Sequence, residues 1–327
     1  MTNTKSWTTV NATSIKSSTP KDDAPPIYGV FTDQNGETVF VSGQKIGRGG
    51  EADVYRYRSD KVAKLFRTED PEKEKKLKLL LQLVNLDNAF CLPERLLYNK
   101  NGKLAGYIMS YRSGFILAES IFQAKEFSNR FPGWTRIELT TLALRCLEAI
   151  ENLHKYDILI GDMNASNIIV ESPGNVSFID VDSYQIGELR CKVGTVSPFT
   201  SPRLHGKSFK SEPRTIEDEQ FATATLLFMI FHLGKLPFSN QGGNIGENII
   251  NRNFAFPISP EEIISFSKRS VWGRIWEALP SNIRNAFYRT FKQGDSVGYL
   301  EWRELLRRYL SDLERNKFSR VILPQII

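Results

Sequence analysis

The chain has 327 residues, of which 41% are hydrophobic and 24% are charged, a composition that suits a soluble globular protein with one large domain or two lobes. The net charge is +6 and no run of five or six like charges occurs, so the charge gives no reason to expect a nucleic-acid partner.

The cysteines and the apolar stretches indicate the compartment. Cys91, Cys146 and Cys191 are scattered, show no metal-ligand spacing and form an odd set, which fits a reducing cytosol. The first 18 residues contain no apolar segment of the signal-peptide kind. The longest apolar stretch, 221–233, contains two threonines and a histidine and is too short to span a bilayer. We expect a cytoplasmic protein without membrane contact.

The N-terminal part begins with a polar segment and continues with strands. Residues 1–26 are rich in Ser, Thr, Asn, Lys and Pro and are predicted to be disordered. Residues 27–41 read as two strands joined by an Asn-Gly turn. Next come Gly47, Gly49 and Gly50 between apolar strand residues, where backbone N–H groups could approach phosphate oxygens. An ordinary glycine hairpin is the alternative interpretation.

A strand lysine and a helix acid follow. The strand 61–66 places Lys64 between apolar residues, and a buried lysine needs a partner. Asp70 and Pro71 predict the start of a helix on which Glu74 shares the apolar face. The apolar residues of that face are Leu77, Leu81 and Val84. We expect Glu74 to pair with Lys64; a solvated acid in the first turn is the alternative.

The centre of the sequence carries two acids and a carboxamide. A hairpin over 95–111 and a helix from Thr135 to about His154 precede it. Asp162 then stands five residues before Asn167, and Asp180 ends the next apolar run after a short turn. Phosphoryl transfer needs one carboxylate at the attacking hydroxyl and another at Mg²⁺, so this spacing is typical of a phosphotransferase. A β-hairpin with solvated acids is the alternative.

The last part of the chain is helical in pattern. A poorly patterned segment, 183–214, leads to a helix over Glu217–Leu233 that ends at Gly234. Helical patterns recur at 272–279, 283–291 and 300–313. The apolar stripe of the last one is Trp302, Leu306, Tyr309 and Leu313. Strands come first and helices later, which predicts an α+β fold with a small β-rich lobe before a larger helical lobe.

The ordered motifs over residues 43–313 resemble the eukaryotic-like protein kinase superfamily. The resemblance implies a two-lobed kinase fold with an N-lobe over 27–112, a C-lobe over 113–315 and a C-terminal tail over 316–327. It implies catalytic roles for Asp162, Lys64 and Glu74, and Mg²⁺ binding by Asn167 and Asp180. The residues implied to bind ATP are Gly47, Gly49, Gly50, Val54, Val62, Lys64, Met109, Ser110 and Tyr111. Asp218 or Glu219 matches the acid that opens the buried central helix.

The segments GDMNASNIIV (161–170) and FIDVDSYQ (178–185) are similar to one bacterial branch of these kinases. Members of that branch are encoded beside von Willebrand factor A-type proteins and protein phosphatases in tellurite-resistance-type clusters. The resemblance therefore implies a regulatory partner such as a von Willebrand factor A-type protein or a phosphatase, besides the protein substrate.

Five positions depart from the kinase pattern. Ala52 replaces the third loop glycine, Gly161 the arginine before the catalytic acid, and Asn164 the catalytic-loop lysine. Asp182 stands where the D-F-G triplet has glycine, and Arg203 replaces a glutamate. We expect an active Ser/Thr protein kinase that uses ATP and Mg²⁺. A pseudokinase scaffold and a small-molecule kinase on the same fold are the alternatives.

Overall fold

The computed structural model describes residues 29–83, 85–192, 197–239 and 241–324. They form two compact units. The first runs to Phe115 and includes Ile179–Asp182, and the second comprises Ile116–Phe178 and continues from Ser183. Strands dominate the first unit and helices the second, so the mixed α+β class is confirmed. The prediction for residues 1–26 lies outside the described residues.

The first unit is built on a seven-stranded sheet in the order β2-β1-β6-β7-β5-β4-β3, with each neighbouring pair antiparallel. Its strands are β1 (Gly29–Asp33), β2 (Thr38–Val41), β3 (Lys45–Arg48), β4 (Ala52–Arg56), β5 (Lys61–Phe66), β6 (Arg95–Tyr98) and β7 (Leu104–Ser110). Both predicted Asn-Gly turns are present. Gly36 and Gly102 have φ values of 85° and 72°, a region that glycine enters without steric cost.

The two faces of the central strands have different roles. One face supplies the buried cluster Val39, Val41, Ala63, Leu97 and Ile108. Side chains alternate along a strand, so Val62 and Lys64 point to the other face. The register places Val54 and Tyr107 opposite Lys64, and Met109 opposite Val62. The predicted nucleotide-binding residues Val54, Val62 and Met109 therefore share one face with Lys64, whereas Ser110 at the end of β7 does not.

Helix α1 (Pro71–Leu81) starts as predicted, because the Asp70 side chain accepts hydrogen bonds from the N–H groups of Glu72 and Lys73. Its buried residues are Lys76, Leu77 and Leu80, and the Lys73 side chain is only 11% exposed. The face of α1 that is buried therefore contains Lys73, and Glu74 lies beside it. Val84 lies outside the described residues.

The second unit consists mainly of helices. They are α2 (Ala124–Arg130), α3 (Arg136–His154), α4 (Ile216–Phe231), α5 (Ile245–Ile250), α6 (Pro260–Arg269), α7 (Val271–Glu277), α8 (Ser281–Tyr288) and α9 (Tyr299–Glu314). Short strands are β8 (Phe115–Ile116, at the boundary), β9 (Ile158–Leu159), β10 (Ile168–Ser172), β11 (Asn175–Phe178) and β12 (Gln185–Ile186). β10 and β11 form the predicted hairpin. The predicted capping box of Thr135 and Glu138 opens α3.

Helix α4 is the buried centre of the second unit. Its residues from 221 to 231 are all buried, and Phe228 packs edge-to-face against Phe256, Phe287 and Phe291. The helix begins one residue before the predicted start and ends before Gly234, whose φ of 89° fits the predicted stop. Helix α9 buries the predicted stripe together with Tyr299. Within the described ranges, none of the helices is long and apolar enough to cross a membrane.

The segment after α9 packs on the second unit. The buried Arg136 guanidinium donates to the carbonyl of Val321 at 2.7 Å and to that of Ile322 at 3.4 Å. The Arg136 N–H donates to the carbonyl of Arg320 at 2.9 Å, and the Ile322 side chain is buried. The described part of the predicted C-terminal tail is therefore bound to the N-terminal end of α3.

Candidate active site

Lys64 forms the centre of a buried charged cluster in the first unit. Its side chain is only 7% exposed, and its ammonium group contacts the carboxylates of Asp180 and Asp182. The Tyr107 hydroxyl donates to Asp182 at 2.9 Å. β5 and β7 place Lys64 and Tyr107 side by side, while the two acids follow β11 in the chain. The sequence-predicted Lys64 and Asp180 are thus in direct contact.

The charges in this cluster stabilise one another. Burial alone would lower the pKa of Lys64, but the attraction of Asp180 and Asp182 outweighs it, so the pKa is raised. Burial would likewise raise the pKa of Asp182, yet the ammonium groups of Lys64 and Lys73 hold that pKa well below its ordinary value. Burial raises the pKa of Tyr107, which therefore stays a hydroxyl donor. Lys64 is charged throughout the physiological range.

The predicted ion pair between Lys64 and Glu74 is absent from this structure. Glu74 instead pairs with Lys78 at 2.7 Å, one helical turn further on, and accepts from the Tyr98 hydroxyl at 3.4 Å. Leu77 of the predicted apolar face is buried, but the helix also buries Lys76 and Leu80 and leaves Leu81 half-buried, so the buried face is shifted from the predicted one. The shift turns Lys73 to the interior: its ammonium group lies 3.3 Å from Asp182.

The glycine segment is held by an arginine at the end of β5. The Arg67 guanidinium donates to the carbonyls of Gly49 at 2.9 Å and of Gly50 at 3.1 Å. In a trans peptide the C=O and the N–H point in opposite directions, so the N–H groups of Gly50 and Glu51 point away from Arg67. A Cβ on Gly50 would meet no atom within 4 Å. Successive backbone N–H groups that lie on the same side of the chain are a feature of anion-binding loops.

The remaining predicted nucleotide residues divide into two groups. Gly47, Val54, Val62 and Met109 are buried on the sheet. Ser110 points to the face opposite Met109 and donates to Glu94 at 2.7 Å. The Tyr111 ring is covered by the guanidinium of Arg56, 3.6 Å from its centroid. The apolar members can form one wall for a planar base, whereas the Ser110 hydroxyl is engaged elsewhere.

The second unit holds the loop that carries Asp162 and Asn167. Gly161 has a φ of 73°, and the Glu219 carboxylate accepts the N–H groups of Ile160 at 2.7 Å and of Gly161 at 3.2 Å. Asn167 is 7% exposed, and its Oδ1 atom is buried without a hydrogen bond from the described residues. A buried amide oxygen without a donor fits a ligand for a hard cation.

Glu219, and not Asp218, therefore holds the Asp162 loop. Asp218 has a different role: it accepts the Thr215 N–H at 2.8 Å in a capping box at the start of α4. It also contacts Arg203 and Ser201. Arg203, the departure noted in the sequence, is thereby paired within its own unit, and its guanidinium reaches Glu212 at 2.5 Å as well.

Asp162 lines an open recess in the second unit. Apolar side chains of Met163, Phe199 and Phe209 form part of its wall. The Arg214 guanidinium lies 4.3 Å from the Phe209 ring. Among the described residues there is no group of three or more His, Cys, Asp or Glu side chains that could hold a metal ion. The predicted Mg²⁺ ligands, Asn167 and Asp180, include only one carboxylate, so they could not form a group of this composition.

No protein-family model matches this chain, and no curated protein matches it. The kinase resemblance therefore stays a prediction that rests on the motifs.

Several site residues were not predicted from the sequence. Asp182 was noted only as a departure, although an acid two residues after Asp180 could have suggested a second partner for a buried lysine. Tyr107 stands two residues before Met109 on a predicted strand, and residues two positions apart in a strand point to the same face. Lys73 and Arg67 give no such signal, because lysine and arginine are common on exposed surfaces.

Proposed function

We propose that the chain is an ATP-dependent protein serine/threonine kinase that works with Mg²⁺. The observation that carries the proposal is the contact between Lys64 of β5 and Asp180, two residues 116 positions apart in the sequence. A sheet lysine beside an acid that follows another strand is the arrangement expected for binding phosphate groups and their cation. The apolar side chains of Val54, Val62 and Met109 on the Lys64 face support the nucleotide assignment.

In this proposal Lys64 and the N–H groups of the glycine segment bind the phosphate oxygens of ATP. Asp180 and Asn167 would hold Mg²⁺, and the buried Oδ1 atom of Asn167 fits this role. When bound, the cation would neutralise negative charge on the phosphate groups. Positioning by fixed charges, without covalent chemistry, accounts for most of the expected rate enhancement.

Asp162 is assigned to the acceptor. Its carboxylate would orient the attacking hydroxyl and accept its proton, and the recess beside it offers apolar contacts to residues around the acceptor serine or threonine. Glu219 keeps the loop in place through two backbone N–H groups. A cytoplasmic location and a regulatory partner of the von Willebrand factor A or phosphatase type belong to the same proposal, on the basis of the cysteines and the motif resemblance.

The second candidate is a pseudokinase that binds a nucleotide without transferring phosphate. One observation favours it. Asn164 stands where the resemblance implies a lysine, and its side chain accepts the Ser166 N–H at 2.9 Å, so it acts as a local cap. The second unit thus lacks that cation for the γ-phosphate.

The two candidates differ in phosphate transfer. The purified chain is incubated with γ-labelled ATP, Mg²⁺ and a generic protein acceptor, and in parallel with a mixture of hydroxylated metabolites. The kinase proposal predicts labelled protein that disappears in Asp162→Asn. Binding of ATP without any labelled product would support the pseudokinase, and label in the metabolites alone would support a small-molecule kinase.

A further inference from the structure

Five side chains of the first unit form a line of alternating charge. Glu51 in the glycine segment contacts Lys73 at 2.8 Å, and Lys73 lies 3.3 Å from Asp182. Asp182 in turn contacts Lys64, which also contacts Asp180. The line connects the glycine segment, α1, β5 and the Asp180 segment through charged contacts alone.

Asp182 is the most buried acid of this line. Its residue exposure is 4%, and its two oxygens are used by Lys64, Lys73 and the Tyr107 hydroxyl. A buried carboxylate is stable only when it is paired and hydrogen-bonded, and these contacts satisfy both conditions. The side chain of Lys73 is nearly as enclosed, at 11% exposure, and the Phe66 ring lies 4.6 Å from its ammonium group.

The structure differs from the predicted pair of Lys64 and Glu74 at two positions. The interior-facing position of α1 carries a cation, Lys73, and the acid that pairs with Lys64 comes from Asp182. Lys73 and Asp182 also have separate partners, Glu51 for Lys73 and Lys64 for Asp182, so every charge of the line is paired. Together these contacts keep the cluster satisfied.

We infer that Asp182 is the residue that positions Lys64 for phosphate binding and that Lys73 fastens α1 and the glycine segment to Asp182. Both are positioning residues, since they act through Lys64 and the glycine segment. The inference rests on the proposed function. It assigns to Asp182 and Lys73 the positioning role that the sequence predicted for Glu74. Glu74 itself belongs to a surface pair with Lys78.

Four variants test the inference: Asp182→Asn, Lys73→Met, Glu74→Gln and Lys75→Met. Lys75 is an exposed lysine on the same helix, so Lys75→Met controls for loss of a helix cation. We expect Asp182→Asn and Lys73→Met to raise the KM for ATP about tenfold or more, the usual order of loss when a residue that orients a binding group is removed. Glu74→Gln should raise that KM far less than Asp182→Asn does, and Lys75→Met should leave it unchanged.

A second readout needs no nucleotide. Breaking a buried ion pair costs several kcal/mol, so the Tm of the nucleotide-free Asp182→Asn and Lys73→Met variants should fall by about 5 °C or more relative to Lys75→Met. If wild-type protein neither binds nor turns over ATP, the proposed function fails. The Tm differences between the variants still test the contacts of Asp182 and Lys73. If Asp182→Asn does not fold, Lys73→Met carries the test.

Two results would overturn the inference. The first is a loss of ATP affinity or Tm in Glu74→Gln that equals or exceeds the loss in Asp182→Asn, because this would restore the predicted pair of Lys64 and Glu74. The second is a Lys73→Met variant that behaves like Lys75→Met in both the KM for ATP and the Tm.

Discussion

Gly161, the residue before Asp162, occupies a position that no side chain can share without a shift of its neighbours. A Cβ there would lie 2.6 Å from the Cβ of Cys191 and 3.2 Å from the Cδ of Arg214, and the φ of 73° belongs to the left-handed region. The departure from the arginine expected at this position therefore has a physical cause in the packing of Cys191 and Arg214. The glycine lets the loop pass close to them and lets Glu219 bind the backbone.

Gly161→Ala and Gly206→Ala separate backbone strain from overlap. Both glycines have left-handed φ values, 73° and 75°, but a Cβ on Gly206 would meet nothing within 4 Å. We expect Gly206→Ala to cost about 1–2 kcal/mol in unfolding free energy from strain alone. Gly161→Ala should cost clearly more, because overlap is added to the same strain. Urea denaturation measures both, and equal losses would show that Cys191 and Arg214 move aside freely.

The contact between Arg203 and Asp218 predicts a pH-dependent contribution to stability. Burial would raise the pKa of Asp218, but hydrogen bonds from Arg203 and Ser201 outweigh it and lower the pKa. A carboxyl group with a lowered folded pKa contributes stability above its unfolded pKa of about 3.9, and this is lost as the pH falls through the folded value. The Arg203 side chain is 37% exposed, so we expect about 1–2 kcal/mol at pH 7.

Arg203→Met should therefore lower the Tm at pH 7, and the difference from wild type should shrink as the pH is lowered below about 4 and through the lowered folded pKa of Asp218. Arg307→Met, which removes an exposed arginine paired with Glu148, is the matched control and should leave the Tm nearly unchanged. A difference for Arg203→Met that stays constant over this pH range would contradict the assigned role of Asp218.

Residue identities in the site were partly predictable. Lys64 and Asp180 followed from burial and spacing, and the structure brings them together. The α1 residue that faces the cluster was not predictable. The buried face of the helix includes Lys73 and not the expected Glu74. Helix faces are read from apolar spacing, and Leu79, Leu80 and Leu81 in succession allow more than one register.

The glycine segment is an element whose carbonyls at Gly49 and Gly50 are bound by one side chain, Arg67. Arg67→Met removes the donor to the carbonyls of Gly49 and Gly50 and should raise the KM for ATP about five- to tenfold, or about 1–1.4 kcal/mol, with little change in kcat. When a segment binds the ground state and the transition state equally tightly, a substitution that weakens it raises KM and leaves kcat unchanged. Arg58→Met, at an exposed position of the same unit, is the control. A fall in kcat with an unchanged KM would contradict this assignment.

Most long elements could be predicted because local signals agree with the fold. Both Asn-Gly hairpins, the Asp70 cap of α1 and the capping box of α3 are signals of this kind. Helices α2, α5 and α6 were not predicted. They are short, from 6 to 10 residues, and they have few apolar positions from which a period can be read.

At the scale of the whole molecule, the order of strands before helices predicted the class but not the contacts that define each unit. Residues 179–182 belong to the first unit although they follow 63 residues of the second, from Ile116 to Phe178. Contacts between residues distant in sequence leave no periodic signal, and the partner expected for Lys64 was Glu74 on the neighbouring helix.

The two chain ends should differ in their effect on stability. Residues 316–324 supply the buried Ile322 and the carbonyls that Arg136 binds, so truncation after Arg315 should lower the Tm by several degrees. The point variant Ile322→Ala should cost about 2 kcal/mol. Removal of residues 1–25, which offer few apolar groups, should leave the Tm unchanged. Equal Tm losses for both truncations would contradict the prediction for the N-terminal segment.

The central claim is that this chain binds ATP with Mg²⁺ through Lys64 and Asp180 and transfers phosphate at Asp162. The most direct test measures Mg²⁺-dependent ATP affinity and the initial rate of protein labelling on the same preparations of wild type, Asp162→Asn and Asp180→Ala. We predict that Asp180→Ala loses both, and that Asp162→Asn keeps its ATP affinity within about threefold while its labelling rate falls by about 10² or more. Unchanged binding and labelling in Asp180→Ala would contradict the account.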